Sequence, residues 1–229
     1  MIHYNLLVIN NCKEEGMTMK IDIPKISPEL FEKSFHDIFY EEDPILEMCV
    51  ITDSDFTNEA VDKVRLYNTV IKNCKFTNTD FSNIDITDVR FENCDLSNVN
   101  MHKSSIHRVE FINSKLVGCE FPESYIGNVK FENSILNLAT FGNSKLEKVI
   151  FKNNSLQNAE FYECKLNKVE FDLCNLNEAN FDQTSLKGID ISSSNFESLI
   201  VSINDLNGCK VSSYQAIQFA TLMGLVIKD

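Results

Sequence analysis

From Leu46 onward every fifth residue is large and apolar. The series runs Leu46, Ile51, Phe56, Val61, Leu66, Ile71 and continues to Leu206 and Val211, 34 positions with no insertion. A period of five matches neither a helix, at about 3.6 residues, nor a strand, at about 2. It calls for a unit of three extended residues and a corner, repeated along the chain. Two residues before each large one stands a small or β-branched residue, as at Val89, Cys94, Ser104, Cys119 and Val129. Large and small side chains therefore both point inward and tile a narrow core. Two residues after the large one the chain often has Asn, for example Asn73, Asn78, Asn93, Asn98 and Asn158. Asn accepts a positive φ more readily than most residues, which suits a tight corner such as a type II turn.

The stretch AEFYECKLNKVEFDLCNLNEANFDQTSLKGID, residues 159–190, resembles the pentapeptide-repeat family, whose consensus is Ala-(Asp/Asn)-Leu-x-x, and the likeness extends over residues 46–211. The resemblance implies an all-β fold, a right-handed quadrilateral β-helix with four repeats per coil. The 34 repeats then make about eight and a half coils, a rod of about 40 Å at the spacing of stacked strands, about 4.8 Å. Folding the chain at twenty residues stacks like on like. One face carries Val89, Val109, Val129, Val149 and Val169 with Phe91, Phe111, Phe131, Phe151 and Phe171. Another carries Ala139, Ala159 and Ala179 with Phe121, Phe141, Phe161 and Phe181, and the two remaining faces are mostly Leu or Ile. Seven of the eight cysteines (Cys49, Cys74, Cys94, Cys119, Cys164, Cys174 and Cys209) fall on the small inward position, which reads as buried reduced thiols; Cys12 lies outside the pattern.

A solenoid needs caps over its open strand edges. Residues 1–45 read as an N-terminal cap. The segments HYNLLVIN and MTMKIDI form a hairpin about a turn at Lys13–Gly16, and a helix over residues 28–42 follows, with Phe31, Phe35, Ile38 and Phe39 as its apolar stripe. Residues 212–229 read as a C-terminal helix, N-capped by Ser212 or Ser213 and stopped at Gly224. Tyr214, Ile217, Phe219, Ala220 and Met223 are too apolar for a solvated helix. They cap the last coil, and by the family resemblance they also pair with a second copy to give a homodimer.

Nothing in the chain has the form of a catalytic site. HExxH, GxSxG, P-loop and dinucleotide fingerprints are absent. His102 and His107 are five apart and project outward on adjacent faces, a solvated pair rather than a metal site. Carboxylates on a regular rod have no cleft to perturb them. The expectation is a protein that is not an enzyme and uses no cofactor or metal. No apolar run spans a bilayer, and the apolar Leu6–Ile9 stretch lacks a signal peptide's basic flank and cleavage site, which points to the cytoplasm without membrane association.

Charge narrows the partner. The formal net charge is −13, which repels nucleic acid and favours basic surfaces. Asp80, Glu120, Glu123, Glu160, Glu163 and Asp182 surround the Ala/Phe face, with Lys103 as the main basic exception. Glu170 and Asp172 extend the acidic set onto the Val/Phe face, where Arg90, Lys130 and Lys152 are mixed in. Lys145, Lys148, Lys165, Lys168 and Lys187 instead gather on a Leu face. These features resemble the family members that mimic duplex DNA and bind type II topoisomerases, some of which confer fluoroquinolone resistance. That likeness implies a protein partner with a basic surface, DNA gyrase or topoisomerase IV, and no direct contact with nucleic acid. Two departures stand out: the repeat here has none of the projecting loops of the resistance proteins, and residues 1–45 are a longer extension than theirs. The alternative is a structural or adaptor scaffold whose partner docks on an end cap or on the lysine face.

Overall fold

A computed structural model describes residues 19–228. Its centre is a parallel β-solenoid in which each residue pairs with the one twenty positions further on. After the two-residue strand β1 (Phe31–Glu32), one side is built from β2 (Ile45–Glu47), β3 (Cys49–Thr52), β4 (Arg65–Lys72), β5 (Asp85–Glu92), β6 (Ser105–Ile112), β7 (Tyr125–Glu132), β8 (Lys145–Lys152) and β9 (Lys165–Asp172). Each of β4–β9 turns a corner at its fourth residue (Asn68, Asp88, Arg108, Asn128, Lys148 and Lys168), where φ lies between 49° and 59°. One strand thus serves two faces, the Leu face before the corner and the Val/Phe face after it. The other two faces are held by single bridges such as Asp95↔Lys115 and Asp80↔Asn100. Their corners close with a turn hydrogen bond, as from the Val99 amide to the Leu96 carbonyl at 3.2 Å, with Asn98 at φ 56° in the third position. That is the geometry a type II turn requires.

Corners with positive φ recur every fifth residue from Met48 to Gly188, 29 in succession, so the regular solenoid has about seven turns. The eight and a half coils expected from the apolar repeat overcount it. The next three corner positions are Ser193, Ser198 and Ile203, and none is left-handed. A β-branched Ile resists positive φ most strongly. The ladder then continues only as bridges, the last of them Asp190↔Lys210.

The core is two columns of phenylalanine. Phe91, Phe111, Phe131, Phe151 and Phe171 stack with centroids 4.9–5.1 Å apart, and Phe121, Phe141, Phe161 and Phe181 stack at 4.8–5.0 Å. The columns meet edge to face across the interior, at 5.6–6.4 Å, an arrangement that suits the ring quadrupoles. Most small polar residues in the wall bond a carbonyl of the coil before them: Ser144 Oγ donates to Phe121 O at 2.7 Å and Asn154 Nδ2 to Phe131 O at 2.8 Å, whereas Ser104 Oγ has no partner among the described residues. Six of the inward cysteines are buried and free, and Cys209 is half-buried. Burial pushes the Cys164 and Cys174 thiols up to about 12.

The N-terminal cap differs from the helix read over 28–42. Phe31–Glu32 pairs with Cys49–Val50, and only Phe35–Phe39 is helical, as a 3-10 turn capped by Ser34. Ser34 competes for the helix start, and Asp37 completes a capping box that fits a single turn. Phe35 is fully buried against the rings of Phe56 and Phe76 at 4.6 and 4.8 Å, whereas Phe31 is exposed. The first strand and turn of the expected hairpin lie outside the described residues. Among the described residues its second strand pairs with no strand: Met19–Ser27 is an extended strap on the outside of the solenoid.

At the other end α1 (Ser213–Ala220) starts at Ser212, which accepts from the Gln215 amide, and the chain leaves helical geometry at Gly224 with φ 75°. Gln215 is buried, and its Nε2 donates to the carbonyls of Ile191 and Ser194 at 2.9 and 2.8 Å. Phe219 packs on Phe196 at 5.5 Å. Tyr214, Ile217 and Met223 are exposed, and Ala220 is half-buried.

Candidate protein-binding face

The pleat and corners fix where each outward side chain stands. On the Ala/Phe face the residues one before the large position stack tier on tier as Asp80, Asn100, Glu120, Thr140, Glu160 and Asn180. Acids thus fall on alternate tiers, about 10 Å apart, with neutral residues between them. Those neutral residues orient the acids: Asn100 Nδ2 donates to Asp80 at 2.9 Å and Asn180 Nδ2 to Glu160 at 2.7 Å. Glu123 and Glu163 stand at the corner column of this face, and Asp182 follows Phe181 on the face itself.

Ion pairs are sparse on this face. Glu123 lies 3.2 Å from His102 and 3.7 Å from Lys103, and the His102 hydrogen bond holds its carboxyl below the usual range. Among the described residues Asp80, Glu120, Glu160, Glu163 and Asp182 have no cation within ion-pair distance. Several acids elsewhere on the rod are paired with a cation. Glu110 meets Arg90 at 2.8 Å, Glu92 meets Lys72 at 2.9 Å, Glu132 meets Lys130 at 2.6 Å and Glu147 meets Lys145 at 2.7 Å.

Glu170 and Asp172 do not join the other six. They belong to β9 on the Val/Phe face, which the Leu face around Leu176 separates from the Ala/Phe face. Four-fold winding puts the two Phe faces on opposite sides, so the acidic set is divided between them. Glu170 is also engaged, accepting the Met19 amide at 2.8 Å, and Asp172 lies 3.3 Å from Ser193 Oγ. His102 and His107 stay apart as well: one pairs with Glu123, while the other sits in β6, half-buried on the Leu face. Among the described residues no cluster of His, Cys, Asp or Glu could hold a metal, and no helix is long and apolar enough to cross a membrane.

The lysine cluster is partly satisfied. Lys145 bonds Glu147 and lies over the Tyr125 ring at 5.3 Å, and Lys148 is 3.7 Å from Asp22. Lys165, Lys168 and Lys187 are exposed without an ion pair among the described residues. Sequence reasoning missed the strap and the Gln215 plug. Pro24 was one available signal, since it favours extended chain before it; a lone Gln in a helix carries none.

The fold and these periodic faces define a class, and comparison with known proteins agrees. The model of the pentapeptide repeat region matches residues 104–181, and that of pentapeptide repeats in eight copies matches 65–102 and 84–121. Together they take in residues 65–181, just over half of the chain. The protein belongs to the pentapeptide-repeat family. Among solved structures it is similar to HetL, a pentapeptide repeat protein involved in heterocyst differentiation regulation from the cyanobacterium Nostoc sp. strain PCC 7120. The identity is 14% and the TM-score 0.54, over 73% of this chain and 84% of HetL. It is also similar to full-length QnrB1, a plasmid-mediated fluoroquinolone resistance protein, at 17% identity and a TM-score of 0.45, over 77% of this chain and all of QnrB1. Against curated protein sequences there is no significant match.

Proposed function

We propose that the protein is a non-enzymatic binding rod of the cytoplasm. Its acidic Ala/Phe face imitates a DNA backbone and docks in the basic groove of a type II topoisomerase, DNA gyrase or topoisomerase IV. The observation that carries this reading is the gathering of five carboxylates without a cation among the described residues on one face of the rod, with Asp80, Glu120 and Glu160 in a single column on alternate tiers. Unpaired exposed charge keeps its field for a partner, whereas an ion pair spends it locally. The six acids of the face span about five tiers, or about 24 Å, one charge every 4–5 Å. One strand of duplex DNA carries a charge every 3.4 Å or so. The face therefore approximates a single phosphate strand, and basic grooves take most of their DNA affinity from phosphates.

Replacing Glu120, Glu160 and Asp182 together by Lys tests the reading. Binding to purified gyrase, measured by surface plasmon resonance at low and moderate salt, should be lost in the triple variant. In the native protein it should weaken as salt rises. Equal binding by both forms would refute the face. The second reading is a scaffold whose partner docks on the lysine side, favoured by the unpaired Lys165, Lys168 and Lys187; such a partner would be indifferent to the same three substitutions. A second copy on α1, implied by the family resemblance, would double the rod.

A further inference from the structure

On the lysine-bearing Leu face the strand ladder ends at β9. Among the described residues β9 pairs with β8 alone. No bridge joins 165–172 to 185–192, although the other two faces of the same coil stay bridged by Asn175↔Asn195 and Asn180↔Ile200. A change of corner accompanies the break. In β4–β9 the corner lies within the strand, at φ 49–59°, whereas Gly188 takes φ 80° and the Ile189 amide closes a turn on the Leu186 carbonyl at 3.0 Å. Glycine reaches that φ without the strain a side chain brings. Leu166, the large inward residue at the break, is partly exposed, while Leu146 and Leu186 in the tiers on either side are fully buried. The wall therefore has a step one face wide.

Lysines surround the step. Lys165 and Lys168 stand on β9 and Lys187 on the coil after it, all three exposed and without an ion pair among the described residues. Glu147, the acid on the same face in β8, is already held by Lys145 at 2.7 Å. Three uncompensated cations on a molecule of net charge −13 form a basic island in an acidic field, which attracts a compact set of anions. Lys165 and Lys168 are three extended residues apart, about 10 Å, and Lys187 is one tier away, about 5 Å. Alternate side chains of an extended peptide project from one side about 7 Å apart, a spacing that flexible lysines can meet. The strap shows what this side of the rod accepts. It runs extended along the corner that leads to the step, and the amides of Ser27, Lys25 and Asp22 donate to Asn68 at 2.7 Å, Asp88 at 2.8 Å and Asn128 at 3.0 Å. Asp22 also brings its carboxylate to 3.7 Å from Lys148, one tier before Lys168. An extended segment with a carboxylate on a lysine is thus already seated beside the island.

We propose that the step is a docking surface for an extended acidic segment of a partner protein. The segment's carboxylates pair with Lys165, Lys168 and Lys187, and an apolar side chain between them covers Leu166. The inference supplies the partner chemistry for the scaffold reading of the lysine side, rests on that reading, and is independent of the acidic face. Nucleic acid fits less well, because its evenly spaced phosphates would run past the three lysines toward Glu163 on the adjoining corner and Glu170 on the adjoining face.

The probe is a fluorescein-labelled ten-residue peptide of alternating Glu and Val, titrated with the full chain and followed by fluorescence anisotropy at low salt. The comparison is with Lys165→Gln/Lys168→Gln/Lys187→Gln, whose folding is checked by circular dichroism. The native protein should bind the peptide about tenfold more tightly than the variant, and less tightly as salt is raised. The same peptide with Gln in place of Glu should not bind. A helical peptide of equal Glu content, bound as well or better, would overturn the extended segment and leave the scaffold reading standing. An oligonucleotide of equal charge bound more tightly would make nucleic acid the ligand and overturn the proposal. Equal affinity of native and variant for the Glu-Val peptide would overturn it too. No binding of any of these probes by the native protein would overturn both the proposal and the scaffold reading of the lysine side.

Discussion

Replacing Phe141 by Ala examines what the ring columns contribute beyond burial. Phe141 is fully buried. It stacks on Phe121 at 5.0 Å and on Phe161 at 4.8 Å, and meets Phe131 and Phe151 edge-on at 6.3 and 5.9 Å. Phe91 is almost equally buried but has half as many ring partners, Phe111 stacked at 4.9 Å and Phe76 edge-on at 6.4 Å. A buried Phe→Ala change costs about 3–5 kcal/mol. Each ring pair adds about 0.5–1.5 kcal/mol beyond area, so two further pairs make Phe141→Ala worse than Phe91→Ala by about 1–3 kcal/mol. We expect losses of about 5 and about 3 kcal/mol. At about 2–4 °C per kcal/mol for a chain of this size, the melting temperature falls by roughly 15 and 9 °C. Urea denaturation followed by circular dichroism measures both variants. Equal losses, or a larger one at Phe91, would show that the columns are held by burial alone and that ring geometry adds nothing.

Other expectations concern the corners and the ends. Leu138 holds a left-handed corner at φ 62° with its side chain exposed, so Leu138→Asn should raise stability by about 1 kcal/mol, read from the same urea curves. Gln215→Ala leaves two carbonyls of the last coil without their donor, which should cost about 1–3 kcal/mol and appear as faster amide exchange confined to residues 186–211. Asp88 takes two bonds from Arg108, at 2.6 and 2.7 Å, and one from the strap amide of Lys25. The Arg108 bond above all holds its carboxyl below the usual range. A depressed carboxyl contributes stability above its unfolded pKa, about 4, and loses that contribution as pH falls through the lower folded value. Asp88→Ala should therefore cost about 2 kcal/mol near neutrality, a gap that closes in acid below pH 4 or so. A gap independent of pH would assign the loss to packing.

The solenoid was legible because its signal repeats. Each misplaced residue in a five-residue code is outvoted by dozens in register, and the twenty-residue stacking of Val on Val and Phe on Phe shows directly in the sequence. What failed to show was solitary or set by competition. The end of the regular coils depends on Ser193, Ser198 and Ile203 failing to make left-handed corners, although the large residues beside them, Phe196 and Val201, keep the apolar beat. The strap is bound through its backbone amides, which every residue but proline possesses, so its sequence carries little trace of the contact; the acceptors Asn68, Asp88 and Asn128 look like ordinary corner residues. The N-terminal helix was misread because Phe31, Phe35, Ile38 and Phe39 have helical spacing, yet Phe31 belongs to a strand and only one 3-10 turn follows. The acidic residues were legible one by one. Their pairing was not, because it depends on which cation stands one tier away.

The most direct test of the binding role is a DNA gyrase supercoiling assay with the purified protein titrated in, with and without ciprofloxacin. The account predicts inhibition of supercoiling, or relief of inhibition by the drug, with either effect weakened by added salt and absent from the Glu120→Lys/Glu160→Lys/Asp182→Lys variant. Unchanged supercoiling at every concentration of folded protein, with and without drug, would contradict it.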